Sequence, residues 1–196
     1  MPTKSSAAQA TSTSRSTARS RDAHKDAIAL LKADHKEVKE LFKDYQKLVD
    51  DEAGGNERRA LAEKICGMLT AHATVEEELF YPQARAALDE EDLVDEADVE
   101  HASAKDLIAQ IQASSPDEPL YDAKVKVLGE YIDHHVKEEE GEMFPKIKKT
   151  ELDLDTLGEE LEVRKEELLQ ELGMSDAVEA AEDSKPARKT AGRTRH

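Results

Sequence analysis

Tryptophan is absent from the 196 residues, cysteine occurs once and proline six times. The single cysteine, Cys66, excludes an internal disulfide framework and a thiolate-held metal cluster, and it suits a cytoplasmic location. Aromatics at 4% and so few prolines argue against a sandwich of short strands, so helices are the expected element. No run approaches the roughly 18 apolar residues of a membrane span, and no stretch has the charged-then-apolar layout of a secretory signal. Residues 1–21 are rich in Ser, Thr and Arg, as transit peptides are. They hold no Leu, Ile, Val or aromatic residue to build an amphipathic face.

What is abundant is charge. Asp, Glu, Lys and Arg make up 37% of the chain, nearly matching the 38% that is hydrophobic, so much of it must be solvated. The net charge of −17 is uneven. Residues 1–22 carry four bases and one acid, and 185–196 carry five bases and no acid, which leaves −25 on 23–184. Such a body attracts cations and disfavours nucleic acid.

Read in order, 1–21 is expected to be a disordered basic tail. A helix over about 22–49 carries the stripe Ile28, Leu31, His35, Val38, Phe42, Tyr45, Val49. A second, 57–81, turns Leu61, Ile65, Met68 or Leu69, His72, Glu76 and Leu79 or Phe80 inward, and Pro82 is expected to end or kink it. The third, 93–113, has Val94, Ala97, His101, Ala104, Ile108 and Ile111 in register. The fourth, 120–147, has Tyr121, Val125, Leu128, Ile132, His135, Glu139 and Met143. These bury their stripes most simply as an all-α, up-down-up-down four-helix bundle over 22–149. Residues 150–173 are expected to form an additional helix with Leu157, Leu161, Val163, Leu168 and Leu172 on its apolar face. That helix would cover the bundle or meet a second copy or another protein. Residues 174–196 are expected to be a disordered tail with a basic end.

Each bundle helix thus puts one histidine where an apolar residue belongs: His35, His72, His101 and His135. The second and fourth helices add Glu76 and Glu139 one turn on. A buried carboxylate is costly unless it is paired or holds a cation. At about 1.5 Å per residue all four histidines fall near mid-helix, so they can share one layer. Imidazole with carboxylate suits iron, manganese or zinc. Two metal ions, one ion, or a metal-free polar core are all compatible with this set.

The pattern repeats within the chain. His72-Ala73-Thr74-Val75-Glu76-Glu77-Glu78-Leu79-Phe80-Tyr81-Pro82 matches His135-Val136-Lys137-Glu138-Glu139-Glu140-Gly141-Glu142-Met143-Phe144-Pro145 in histidine, paired glutamates, aromatic ring and proline. With Asp34-His35 and His101 on the flanking helices, residues 23–147 resemble the hemerythrin-like (HHE cation-binding) family. The resemblance implies a non-haem centre of two carboxylate-bridged iron ions, with O2, nitric oxide, peroxide or iron itself as the species handled. By position, His35 and His72 would hold one iron and His101 and His135 the other, with Glu76 and Glu139 bridging. Oxygen-carrier members have a further histidine one turn after the third-helix ligand, where this chain has Lys105. Their fourth-helix carboxylate corresponds to Glu140, although spacing to His135 and symmetry with Glu76 favour Glu139. The lysine argues for redox chemistry or sensing over reversible oxygen transport. A peroxide- or NO-consuming oxidoreductase and a metal-braced interaction module are the alternatives. His134 and Glu138 share a stripe about 100° from the ligand face, which reads as surface or outer support. Asp34, next to His35, could orient a neighbouring histidine but reads first as a surface acid, and Tyr45, Tyr81, Tyr121 and Tyr131 could donate to a bound oxygen species but read first as packing.

Overall fold

The computed structural model describes residues 26–88 and 92–174. Helix α1 (Ala27–Asp50) starts where the Asp26 carboxylate accepts the Ala29 amide at 2.7 Å, satisfying one of the donors a first turn leaves free. Helix α2 (Gly55–Val75) runs through a π turn, Glu76–Phe80, into α3 (Tyr81–Ala87). Helix α4 (Asp92–Gln112) follows. Helix α5 (Tyr121–Glu138) passes through a second π turn, Glu139–Met143, into α6 (Phe144–Ile147). Helix α7 (Leu154–Glu171) starts at Asp153, whose side chain accepts the Thr156 amide. The described residues contain no strand. Helix α1 packs on α2 and α5, and α4 packs on the same two, which closes the expected four-helix bundle. The tails expected at 1–21 and beyond Met174 lie outside the described residues.

The two π turns occupy equivalent places in the repeated motif, and they explain its aromatic and proline. Tyr81 and Phe144 each lie nine residues after a histidine, and an α-helix has by then turned to its opposite face. One extra residue per turn brings both rings back inside. The amide of Tyr81 bonds the Glu76 carbonyl and that of Phe144 bonds the Glu139 carbonyl, five residues back in each case. The wide turn also accommodates the following proline, which has no amide to donate. Pro82 therefore does not end the helix, and the rod runs on to Ala87.

The core is split. One apolar cluster gathers Ile28, Leu31, Phe80, Val94, Phe144 and Ile147 with α7. The other gathers Val38, Tyr45, Ile65, Leu128 and their neighbours towards the far end of the bundle. Between them lies the histidine and glutamate layer. At the far end Asp122 ties three helices together, accepting from Tyr45 Oη at 2.7 Å and from Arg58 Nη1 at 2.5 Å.

Helix α7 lies on α1, α2 and the first π turn, so its apolar face is spent on its own bundle rather than offered to a partner. Leu157, Leu161, Leu168 and Leu169 are buried. Val163 and Leu172, expected on that face, are instead exposed, because the four leucines set a stripe that excludes them. Met174 sits over Gly67 of α2, where a Cβ would strike its sulfur. The neighbouring Cys66 is 1% exposed, and burial pushes its thiol up to about 12. Iodoacetamide at pH 8 is therefore expected to label it only on unfolding. The raised value also means that the thiol's contribution to stability is lost as pH climbs from the ordinary thiol range towards 12. Fast labelling of the folded protein would contradict this burial.

Candidate metal centre

Helix periodicity places His35, His72, His101 and His135 in the bundle's middle layer, and all four are buried. Their Nε2 atoms face inward in pairs, His35 to His72 at 3.1 Å and His101 to His135 at 3.2 Å. Glu76 and Glu139 stand between the pairs. Glu76 Oε2 is 3.2 Å from His72 Nε2 and 3.4 Å from His101 Nε2. Glu139 Oε2 is 3.3 Å from His35 Nε2 and 3.5 Å from His135 Nε2. Each carboxylate thus touches one histidine of each pair. The six residues singled out from the sequence all come together here.

The outward nitrogens are held as consistently. His35 Nδ1 lies 3.0 Å from Glu140 Oε1, His101 Nδ1 3.0 Å from Glu77 Oε1, and His135 Nδ1 2.8 Å from Glu100 Oε2. His72 Nδ1 faces Asp34 Oδ2 at 3.5 Å. The carboxylates form a closed ring: Asp34 on α1 serves α2, Glu77 after α2 serves α4, Glu100 on α4 serves α5, and Glu140 after α5 serves α1. Donation of Nδ1–H to a carboxylate, for which His35, His101 and His135 are placed, would leave Nε2 as the nitrogen available to a metal ion. Of the two glutamates that follow α5, Glu139 is inside the layer and Glu140 outside it. The second glutamate of each repeat reaches the next helix because it lies about 100° round from the first.

Sequence reading missed most of this ring. Glu77 was visible only as half of a repeated pair. Asp34, read as a surface acid, is buried, and Lys165 Nζ from α7 lies 2.5 Å from its Oδ1. Glu100 was not singled out. The available signal was an acid directly before the histidine on both α1 and α4, Asp34-His35 and Glu100-His101. Lysines close the outside of three corners: Lys32 on Glu140 at 2.9 Å, Lys105 on Glu77 at 2.5 Å, and Lys165 on Asp34. The position of the carriers' extra histidine is therefore spent on neutralising an outer carboxylate.

Electrostatics mark the layer as a place for positive charge. Neither oxygen of Glu76 has a hydrogen-bond partner, nor does Oε2 of Glu139, although both residues are almost completely enclosed. Burial, and then the charge of Glu139, pushes the Glu76 carboxyl well up. Burial also works against ionisation of Glu139, but the surrounding imidazoles of His35, His135 and His72 hold it down. For His135 burial lowers the value, and the Glu100 bond with the two inner glutamates more than reverses it. Orphaned carboxylate oxygens facing free imidazole nitrogens are what a cation bound by nitrogen and oxygen would satisfy.

The two halves differ in one respect. Tyr81, read from sequence as packing, donates its Oη–H to Glu139 Oε1 at 3.0 Å and stands 3.3 Å from His101 Nε2. Its counterpart Phe144 stacks on His35 with ring centroids 5.9 Å apart and offers no donor. Away from the carboxylates the layer opens on a cavity of about 20 Å³, walled by Val38, Leu69, Ala104 and Ile132 one turn from the histidines.

Comparison with known proteins agrees with this geometry. The hemerythrin HHE cation binding domain family matches residues 26–147. A DNA nickase from Nostoc sp. is 33% identical over 122 residues, 61% of this chain and 32% of that protein, so the match spans about a third of the relative's length. The crystal structure of a hemerythrin HHE cation binding domain-containing protein from Mycobacterium kansasii superposes with a TM-score of 0.61 at 27% identity, covering 83% of this chain and 96% of that one. With its doubled motif, its bundle and its buried His/Glu layer, the chain belongs to the hemerythrin HHE cation-binding domain family.

Proposed function

We propose that the layer holds two iron ions, His35 and His72 on one, His101 and His135 on the other, with Glu76 and Glu139 bridging. The observation that carries this is the set of unpartnered carboxylate oxygens between two facing imidazole pairs. Bound iron would supply Lewis acidity and one-electron chemistry towards O2, nitric oxide or peroxide. The residues around it would select and orient such a ligand. A cavity of about 20 Å³ admits only one or two water-sized groups, and its aliphatic walls favour a small, weakly polar species. The Tyr81 phenol is held protonated by burial and the nearby carboxylates, so it can donate a hydrogen bond at the centre.

That phenol, on the carboxylate side of the centre, also favours a second reading, an oxidoreductase consuming peroxide or NO, because such turnover takes up protons. Steady consumption with a reductant would support it, whereas a sensor or store reacts once. DNA chemistry is left to the Nostoc relative, since two thirds of that protein has no counterpart in the match. The bundle over 22–149 and the helix over 150–173 are read as one functional unit in the cytoplasm. No helix among the described residues is long and apolar enough to cross a membrane.

The test is metal content with Mössbauer spectra of protein purified anaerobically and then exposed to O2. Two antiferromagnetically coupled irons per chain are expected after exposure. A single zinc per chain would sink the proposal.

A further inference from the structure

Among the described residues, the ring of outer carboxylates is closed by a lysine at three corners and by none at the fourth. Glu100, which orients His135 through Oε2, turns Oε1 towards His134 Nε2 at 3.5 Å. His134 Nε2 is also 3.2 Å from Glu138 Oε1, one helical turn on. The ligand atoms of Glu100, His134 and Glu138 all lie within 4.8 Å of one another, the spacing of a small metal site. Where the other corners end on an ammonium, this one presents two carboxylates and an imidazole.

A second observation links the corner to the interior. A narrow cavity of about 10 Å³ is lined by Glu96, Glu100 and Glu138 on the outer side and by His135 and Glu139 on the inner side. The Oε2 of Glu139, on a side chain 1% exposed, has no hydrogen-bond partner. The cavity therefore lies between two of the outer metal-ligating groups, Glu100 and Glu138, and the His135 and Glu139 side chains of the buried layer. Four of its eight lining residues are glutamates, with Leu93, Ala97, Met143 and His135 making up the rest of the wall, and residues 23–184 carry a net charge of −25.

We infer that Glu100, His134 and Glu138 form an outer site for a divalent cation, through which metal ions are taken into the buried centre. The inference rests on the two-metal reading above. His134 is 63% exposed and captures the ion from water, while Glu138 and Glu100, at 34% and 22%, strip part of its hydration. Glu100 then bridges outwards and inwards, because one carboxylate oxygen faces the outer ion and the other holds His135. A negatively lined cleft with low-dielectric walls raises the local cation concentration and the on-rate by about tenfold or more.

The probe is Co2+ added anaerobically to metal-free protein, counted by equilibrium dialysis and followed by stopped-flow through its visible bands. The variants are His134→Ala, and His134→Lys, which gives this corner the ammonium the other three have. Wild type is expected to take a third, weaker ion beyond two tightly held ones. Both variants should lose the third ion, keep the tight pair, and load that pair about tenfold more slowly. An unchanged third ion, or an unchanged loading rate, would overturn the inference while leaving the two-metal reading in place. Fewer than two tight ions in wild type would instead bring down the two-metal reading itself.

Discussion

Glu76→Ala is expected to remove half or more of the bound metal, and Glu76→Met to make the metal-free protein more stable than wild type. Both expectations come from one fact. Glu76 is fully enclosed, touches a histidine of each pair, and has no hydrogen-bond donor on either oxygen. In the loaded protein it would bridge the ions, and losing a bridge weakens both. In the empty protein it is a buried acceptor without a partner, a state costing about 1–3 kcal/mol. Methionine fills the volume and removes that cost, while alanine leaves a void that offsets part of the gain. Metal per chain by plasma emission, and thermal melts with and without chelator, check the two halves separately. Glu140→Ala makes the contrast. Besides Lys32 it touches only the outward nitrogen of His35, so metal affinity is expected to drop about tenfold with little change in stoichiometry at saturation. A metal-free Glu76→Met protein that melts below wild type would show the carboxylate to be satisfied by groups within the fold.

Ending the chain at Thr150 is expected to lower the melting temperature by about 10 °C or more and to weaken metal binding as well. The motif alone suggests that the bundle would tolerate the loss, but α7 is part of the core. Leu157, Leu161, Leu168 and Leu169 are each at most 8% exposed and pack into the cluster that holds Phe80 and Phe144. At about 1.5–3 kcal/mol for each buried leucine, the burial lost is of the order of the roughly 5–15 kcal/mol that stabilises a typical domain, and the apolar surface of α1 and α2 beneath α7 is laid open as well. Helix α7 also supplies Lys165, which neutralises Asp34 beside His72. There burial raises the Asp34 carboxyl, but His72 and Lys165 outweigh it, so the group stays ionised. Lys165→Met separates the two contributions. It keeps the packing and loses the charge, so the melting temperature should hardly move, while metal held against a chelator falls about tenfold. A truncated chain that melts with the full one would reduce α7 to a passive appendage.

Much of this was legible beforehand because it follows from helical periodicity. Val94, Ala97, His101, Ala104, Ile108 and Ile111 recur every three or four residues, and the structure buries all of them. His35, His72, Glu76, His101, His135 and Glu139 stood out as polar interruptions of such stripes. The outer ring was hidden because its members lie one residue from the stripes and touch a different helix from their own. Nothing in a single helix says that Asp34 faces His72 or that Glu100 faces His135. The roles of Tyr81 and Phe144 were hidden for another reason. A 3.6-residue period puts position nine on the wrong face, and only a π turn, which periodicity does not report, brings it back.

The apolar stripes, each interrupted by one histidine near mid-helix, determined on their own an all-α bundle with its four histidines at matching heights, since register along a helix is a local property. Tertiary structure decided which glutamate of each pair points inward and which supports a neighbouring histidine. It also decided that a fifth helix completes the core, and that one corner of the ring ends on His134 where the others end on lysine. Those are relations between helices, set by how the rods rotate and pack against one another, and no single stretch of sequence contains them.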